Sequence, residues 1–313
     1  AREINKFHST FIDSIQRYVY KGRIHSEINQ LRSDQGGTVS GRLSYSNPNL
    51  QQIPARNKEF GNKIRSLFLP EEGRQWGSFD YSQQEPRLVA HYAASVNDQF
   101  SGAAEFIESY KNEAADFHQI VADMAQITRT QAKTINLGLF YGMGKAKLSK
   151  ELGISKDRAE QLLRKYGERV PFVKGLATEV SNSASKYGFI RTIKGRKCRF
   201  DMWEPNSFGM NKAMDYEAAK AHYGNNIRRA FTYKALNRLI QGSAADQTKQ
   251  AMINCYKAGY KPILQIHDEL CFSVGSDKEI EGIKNLMENA VEELRVPSKV
   301  DIAIGRSWGE AKE

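Results

Sequence analysis

Two distant stretches of this chain carry carboxylates in positions that call for a chemical reason. In Phe79-Asp80-Tyr81-Ser82-Gln83-Gln84-Glu85-Pro86-Arg87, an apolar run ends on Asp80, and Glu85 stands just ahead of a proline. In Lys261 to Val274, two apolar strands are joined at a tight polar turn, His267-Asp268-Glu269. A hairpin tip of this kind usually takes Gly or Asn. Two carboxylates there, with another at a separate strand end, make a candidate oxygen-donor site for two hard cations. On its own, Asp80 reads equally well as an ordinary turn aspartate, and Glu269 reads also as a surface carboxylate. A third signal lies between them. Arg129, Lys133, Leu137 and Tyr141 follow at four-residue steps, so each is rotated about 40° from the last on a helix. One face then carries two cations, an apolar side chain and an aromatic ring over roughly 18 Å. That order suits a nucleotide held lengthwise, with phosphates on the cations, sugar on Leu137 and base on Tyr141. The alternative is a solvated basic helix. Gly138 and Gly142 flank the aromatic end; glycine in a helix costs about 1 kcal/mol against alanine, so a close neighbour is expected there.

The elements that must position these groups follow from pattern. Ser66–Pro70 and Arg74–Phe79 read as strands, and Pro86 suits the first turn of a helix running through Ala94. Residues 1–20 are expected helical, with Phe7, Phe11, Ile15 and Val19 at four-residue steps. Gly22–Ile28 reads as a strand, Gly36-Gly37 as a turn and Thr38–Ser44 as the partner strand. Asn47 to Pro54 is an amide-rich loop flanked by Arg42 and Arg56, groups that can reach minor-groove acceptors and phosphates; a plain polar loop fits as well. A helix is expected from Asp116, with His118 near its start, and Thr128 caps the next one through Tyr141. Residues 155–187 read as two helices, capped by Ser155 and broken at Pro171. Tyr187–Lys197 reads as a hairpin with a basic tip. Residues 201–228 are polar and give little. Thr232–Cys255 is a long helix with Asn237 and Gln241 on one face, Glu279–Leu294 an amphipathic helix and Val300–Ile304 a closing strand.

Totals narrow the class. The chain has 313 residues, enough for two or more subdomains with their own cores. Its formal net charge of +10 and pI of about 9.3 favour a polyanionic partner, nucleic acid first. No apolar run approaches a membrane span. Cys198, Cys255 and Cys271 are scattered, which fits a reducing compartment and no zinc site. No signal peptide is visible, and the chain opens on Ala1 within a helical pattern, so an upstream segment is expected.

Taken together, these stretches resemble the family A DNA polymerases, the group of bacterial DNA polymerase I and many phage replicases. Asp80-Tyr81-Ser82-Gln83-x-Glu85-x-Arg87 is similar to the first palm motif. Arg129-x3-Lys133-x2-Asn136-x-Gly138-x2-Tyr141-Gly142 is similar to the fingers helix, and His267-Asp268-Glu269 to the last palm motif. Gly41-Arg42-Leu43-Ser44, Pro48-Asn49-Leu50-Gln51-x-Ile53-Pro54, Gln241-Gly242-x-Ala244-Ala245-Asp246 and Trp308-Gly309-Glu310-Ala311 match further segments. The matches keep family order from about residue 22 to the end. Leu137, Pro86, Gln84 and Tyr233 depart from the usual residues. Leu137 stands in place of Phe or Tyr, which puts sugar discrimination through that ring in doubt. The short span from His118 to Arg129 is more phage-like than bacterial.

The resemblance implies an α+β right-hand polymerase. The palm, an antiparallel sheet with helices, combines 1–90 with 230–313; helical fingers are inserted at 91–229; the thumb lies mostly upstream. It implies DNA synthesis from dNTPs on primer-template DNA, with two Mg²⁺ ions (or Mn²⁺) on Asp80, Asp268 and the Tyr81 carbonyl. Arg129 and Lys133 would clamp the β and γ phosphates, Lys133 serving also as proton donor to pyrophosphate. Glu85 would exclude a 2′-hydroxyl, Tyr141 would stack at the template position, and Gln83, Leu137 and His118 would complete the nucleotide site. Arg42, Arg56, Arg87, Asn237, Gln241 and His267 would contact DNA, and Glu269 would support catalysis at the primer end. A cytoplasmic setting in a bacterium or phage-infected cell follows, with no membrane partner and with replication accessory proteins unidentified. Two other readings stand beside this one: a single-subunit phage-type RNA polymerase, against which Glu85 argues, and a non-catalytic DNA-binding module, against which the intact Asp80, Asp268, Arg129 and Lys133 argue.

Overall fold

The computed structural model describes residues 8–31, 36–53, 58–95, 104, 107, 108, 110, 116–140, 143–207, 209 and 211–312. Along the chain, α1 (Asp13–Gln16) precedes the short hairpin of β1 (Val19–Tyr20) and β2 (Arg23–Ile24), and β3 (Glu27–Asn29) pairs with β4 (Ser44–Ser46). α2 (Lys58–Arg65) leads to β5 (Gln75–Tyr81) and α3 (Gln84–Ser95). Farther along come α4 (Phe117–Ala125), α5 (Arg129–Phe140), α6 (Lys145–Leu152), α7 (Lys156–Arg169) and α8 (Pro171–Tyr187). Then come the hairpin β6 (Phe189–Arg191)–β7 (Lys197–Arg199), and β8 (Trp203–Pro205), which pairs with β9 (Ile227–Arg229) around α9 (Tyr216–Tyr223). α10 (Ala235–Lys257), β10 (Leu264–Ile266), β11 (Glu269–Val274), α11 (Asp277–Glu288) and β12 (Val300–Gly305) close the chain.

These elements form two compact units. One comprises Ala1–Gln84, Ala244–Glu293 and Ser298–Glu313; the other comprises Glu85–Ser243 and Leu294–Pro297. The first is built on a four-stranded antiparallel sheet in the order β10-β11-β5-β12. Strand alternation gives the sheet two faces. Phe79, Tyr81, Leu270, Phe272 and Val300 pack with Ala251, Cys255, Ile283 and Met287 from α10 and α11. Trp76, Leu264 and Cys271 pack with Trp308, Ile64 and Tyr45. The second unit is largely helical, and Phe117, Val121, Ala132, Ile135, Tyr166, Phe172 and Leu176 are buried in it. Among the described residues no helix is long and apolar enough to cross a membrane.

Several local expectations are corrected. Ser66–Pro70 is not a strand: it runs through a turn, with Leu67 and Leu69 exposed, and its ties are single bonds such as Trp308 N–H to the Phe68 carbonyl at 3.0 Å. Gly22–Ile28 breaks at His25-Ser26 into β2 and β3. The partner strand begins only at Ser44, because hydroxyls upstream bind their own backbone: Thr38 Oγ1 donates to the Arg42 carbonyl at 2.8 Å, and Ser40 Oγ accepts from Arg42 N–H at 3.4 Å. Of the expected helix over 1–20, residues 8–12 form a π turn and 13–16 one α turn before β1; residues 1–7 lie outside the described set. The Glu279–Leu294 helix starts earlier, capped by Ser276, and ends at Glu288. The polar 201–228 stretch holds β8, the start of its partner β9 and, between them, a helix capped by Asp215.

Candidate active site

The sheet brings the palm-motif acids together. In the β5–β11 register Asp80 stands opposite Glu269, and on the other side, in β5–β12, opposite Asp301. Opposed residues in an antiparallel pair have Cα atoms about 4.5–5.5 Å apart and side chains on one face. Asp268 directly precedes Glu269, and its carbonyl accepts from Tyr81 N–H at 3.3 Å. The hairpin turn is therefore pinned to the residue after Asp80. His267 occupies the turn with φ of 56°, a left-handed conformation uncommon for side chains other than Asn, Asp and His. Gln265 braces it: its buried amide donates to the His267 carbonyl at 2.6 Å and accepts from Gln51 Nε2 at 3.2 Å. The amide loop and the hairpin are thus one construction.

Cations only partly offset the negative charge gathered here. Partial burial, then the Asp268 carboxylate, push the half-exposed Asp80 carboxyl up to about 7, with Lys312 opposing. Burial raises Asp268 as well, against Arg42 and His267. Arg42 and His267 line one cleft with Lys249. Glu269 is 6% exposed; Ser78 Oγ and Cys271 Sγ both donate to its Oε1, the latter at 3.5 Å, and its Oε2 meets Lys312 Nζ at 3.1 Å. The same ammonium lies 3.6 Å from Asp80 Oδ2. Against the cost of its own burial, Glu269 and then Asp80 raise the Lys312 pKa. No sequence pattern points to Lys312 or Ser78: the family-like ending Trp308–Ala311 stops one residue short of the lysine. The turn Ser82-Gln83 leads out of the strand, with Gln83 at φ 52° and Ser82 N–H donating to the Lys299 carbonyl at 2.8 Å. Gln84 is buried, its amide donating to the Ala244 carbonyl, Gln247 and Thr248.

The donor set fits a small divalent cation. Asp80 and Asp268 are hard oxygen donors whose ionisation is held back by burial and, at Asp80, by the neighbouring carboxylate, which a bound cation would relieve. Among the described residues there is no group of three or more His, Cys, Asp or Glu side chains able to hold a metal ion. Mg²⁺ is commonly held by one or two carboxylates with substrate phosphates and water.

In the second unit, α5 presents Arg129 and Lys133 to solvent. Thr128 caps it, as expected: its Oγ1 accepts from Gln131 N–H at 3.2 Å while Gln131 Oε1 accepts from Thr128 N–H at 3.0 Å. Asp116 caps α4 through His118 and Gln119 N–H and also binds Arg129 Nε at 2.8 Å. Against the push of partial burial, the Arg129 hydrogen bond keeps the Asp116 carboxyl low. Burial, then the cations Arg129 and Lys133, lower the His118 pKa against Asp116. Asn136, wholly buried, ties the helices together: its Nδ2 meets His118 Nδ1 at 3.2 Å and its Oδ1 accepts from Tyr166 Oη at 2.5 Å. The close neighbour of Gly138 is Met143, whose Sδ would lie 2.9 Å from an added Cβ. Leu137 is a helical position in α5; Tyr141, Gly142 and Arg56 lie outside the described residues. Glu85 sits in the first turn of α3. Arg87, expected to contact DNA, is instead turned inward: it is 5% exposed, its Nη1 donates to the Pro297 carbonyl at 2.6 Å and its guanidinium lies over the Tyr110 ring at 5.0 Å. Asn237 and Gln241 are half-buried, one turn apart on α10.

Comparison with known proteins converges on one family. The family model described as DNA polymerase family A matches residues 1–310. A DNA-directed DNA polymerase of Pseudomonas phage M6 is 39% identical over an alignment covering 99% of this chain and 50% of the relative. The thermostable DNA polymerase I of Thermus filiformis is 34% identical, covering 100% of this chain and 36% of the relative. The chain thus spans half or less of the length of these relatives. A solved structure of the polymerase domain of Pol1 from M. smegmatis, in complex with DNA primer-template and dNTP, matches with a TM-score of 0.80 at 32% identity, covering 100% of this chain and 53% of that one. These relatives do not favour an RNA polymerase or a non-catalytic module.

Proposed function

This chain belongs to DNA polymerase family A, and from that premise we propose that it carries out template-directed 5′–3′ DNA synthesis from dNTPs on primer-template DNA. The observation that supports this most is the union of Asp80 and Asp268 at one end of the two central strands, through the Tyr81–Asp268 backbone bond. Asp80 and Asp268, with the Tyr81 carbonyl, would hold two Mg²⁺ ions, or Mn²⁺ in their place. Bound there, such ions acidify the primer 3′-hydroxyl and neutralise charge on the triphosphate.

The chain's own residues supply position and charge. Arg129 and Lys133 take the β and γ phosphates; Arg129 exchanges Asp116 for phosphate, and Lys133 gives a proton to the departing pyrophosphate. His118, held toward its neutral form, is kept in place by Asn136 and serves the triphosphate as a hydrogen-bonding partner. Gln83 and Leu137 border the nucleotide, Tyr141 stacks at the template position, and Glu85 excludes a 2′-hydroxyl. Arg42, Asn237 and Gln241 sense minor-groove acceptors, which sit alike in every correct pair. His267 and Glu269 support the primer end, and Arg56 meets phosphate. Arg87 acts from the interior, tying the start of α3 to the 294–297 segment. The palm role falls to about 1–90 with 230–313 and the fingers role to 91–229; the compact units divide instead at Gln84 and Ala244, with 294–297 in the helical one.

The test is primer extension by the full-length protein with and without Mg²⁺, beside Asp268→Asn. Extension that needs the ion and vanishes in the variant, with DNA binding retained, is expected. Undiminished turnover by Asp268→Asn removes that residue from the mechanism.

A further inference from the structure

Lys312 has a place in this site that the two-carboxylate reading does not use. Its ammonium lies 3.1 Å from Glu269 Oε2 and 3.6 Å from Asp80 Oδ2, and the side chain is only 25% exposed. Glu269 has little else to offer a metal, because its Oε1 already accepts from Ser78 and Cys271. The nearer, better-sheltered contact is to Glu269; the contact to Asp80, whose side chain is 42% exposed, is the looser one. The segment carrying Lys312 is firmly seated. Trp308 is 2% exposed and stacks on Trp76 at 6.0 Å, with the Arg65 guanidinium 5.2 Å from its ring. Gly309 packs so closely on α2 that an added Cβ would lie 2.8 Å from the Asn62 carbonyl oxygen. The ammonium is therefore delivered by a rigid support.

We infer that Lys312 is a positioning residue: a tethered cation that occupies Asp80 in the metal-free site, keeps Glu269 paired away from the ions, and gives up Asp80 when a divalent cation arrives. The inference rests on the proposed metal role of Asp80 and Asp268. A fixed ammonium at this range competes for the same oxygen lone pairs and repels an incoming cation. Removing it leaves Asp80, Asp268 and Glu269 more attractive to a divalent ion and frees Glu269 Oε2 to bind one.

The experiment measures Mn²⁺ binding to the full-length protein without DNA, by the electron paramagnetic resonance of free Mn²⁺. Lys312→Met is expected to bind about tenfold tighter than the parent, and Lys312→Arg, which keeps the charge, close to the parent. Loss of a purely structural residue would weaken binding instead. Should Lys312→Met fail to fold, Lys312→Gln, which keeps a hydrogen-bond donor of shorter reach, carries the same expectation. Unchanged or weaker Mn²⁺ binding by a folded, charge-free variant overturns the inference. Asp268→Asn separates the two ideas: if it leaves parent binding untouched, the metal reading fails; if it abolishes binding while Lys312 variants change nothing, only the lysine's role fails.

Discussion

Tyr166→Phe is a one-atom probe of how α5, the helix proposed to bind the phosphates, is held. The ring stays, so no cavity opens; only the hydroxyl that donates to Asn136 Oδ1 at 2.5 Å is lost. Tyr166 is 1% and Asn136 0% exposed, so water cannot easily replace that donor. A buried acceptor left without its partner costs about 1–3 kcal/mol, equivalent to roughly a 5- to 150-fold rise in local opening. Asn136 also holds His118 and lies one turn beyond Lys133 on α5. Faster amide exchange across Arg129–Phe140 is expected, with a raised KM for dNTP. The global melting point is a poorer gauge, because two compact units need not unfold together. Tyr166→Phe/Asn136→Leu should recover part of the lost protection, since an apolar pair leaves no orphaned polar atom. Exchange rates in Tyr166→Phe matching those of the parent would refute the claim that this bond secures the helix.

Two further outcomes follow from the same reading. The Asp80 carboxyl, raised to about 7, keeps a proton in the folded metal-free protein that the unfolded chain gives up; that contribution to stability is present below the ordinary carboxylate range and is lost as pH rises through 7. A divalent ion must displace this proton, so calorimetry in buffers of different ionisation enthalpy should record more proton release at about pH 6 than at about pH 8.5; equal release at both removes Asp80 from the site. Glu85→Ala, in the first turn of α3, should raise the ratio of rNTP to dNTP incorporation, and an unchanged ratio rules out a steric gate there.

Particular residues show what the chain made legible. The apolar run into Asp80, the strands flanking His267-Asp268, the Thr128 and Ser155 caps and the break at Pro171 are local signals, and local physics governs those elements. Ser66–Pro70 misled because its leucines are apolar yet exposed, and Pro70 has no N–H to offer a ladder. Thr38 and Ser40 misled because a β-branched, hydroxyl-rich run reads as strand, whereas their hydroxyls bind nearby backbone instead. Lys312 carried no signal at all: its partners Asp80 and Glu269 lie far back in the chain, and only the register of β5 with β11 brings them together. Asp116 was legible as a helix start but not as the carboxylate holding Arg129, a pairing across thirteen residues.

The claim beneath all of this is that Asp80 and Asp268 share divalent ions. Anomalous scattering from crystals of the protein with primer-template, dNTP and Mn²⁺ addresses it directly. Manganese peaks within coordination distance of both carboxylates are predicted, with Glu269 still on Lys312. Peaks bound by only one of the two aspartates, or lying elsewhere, would contradict the account.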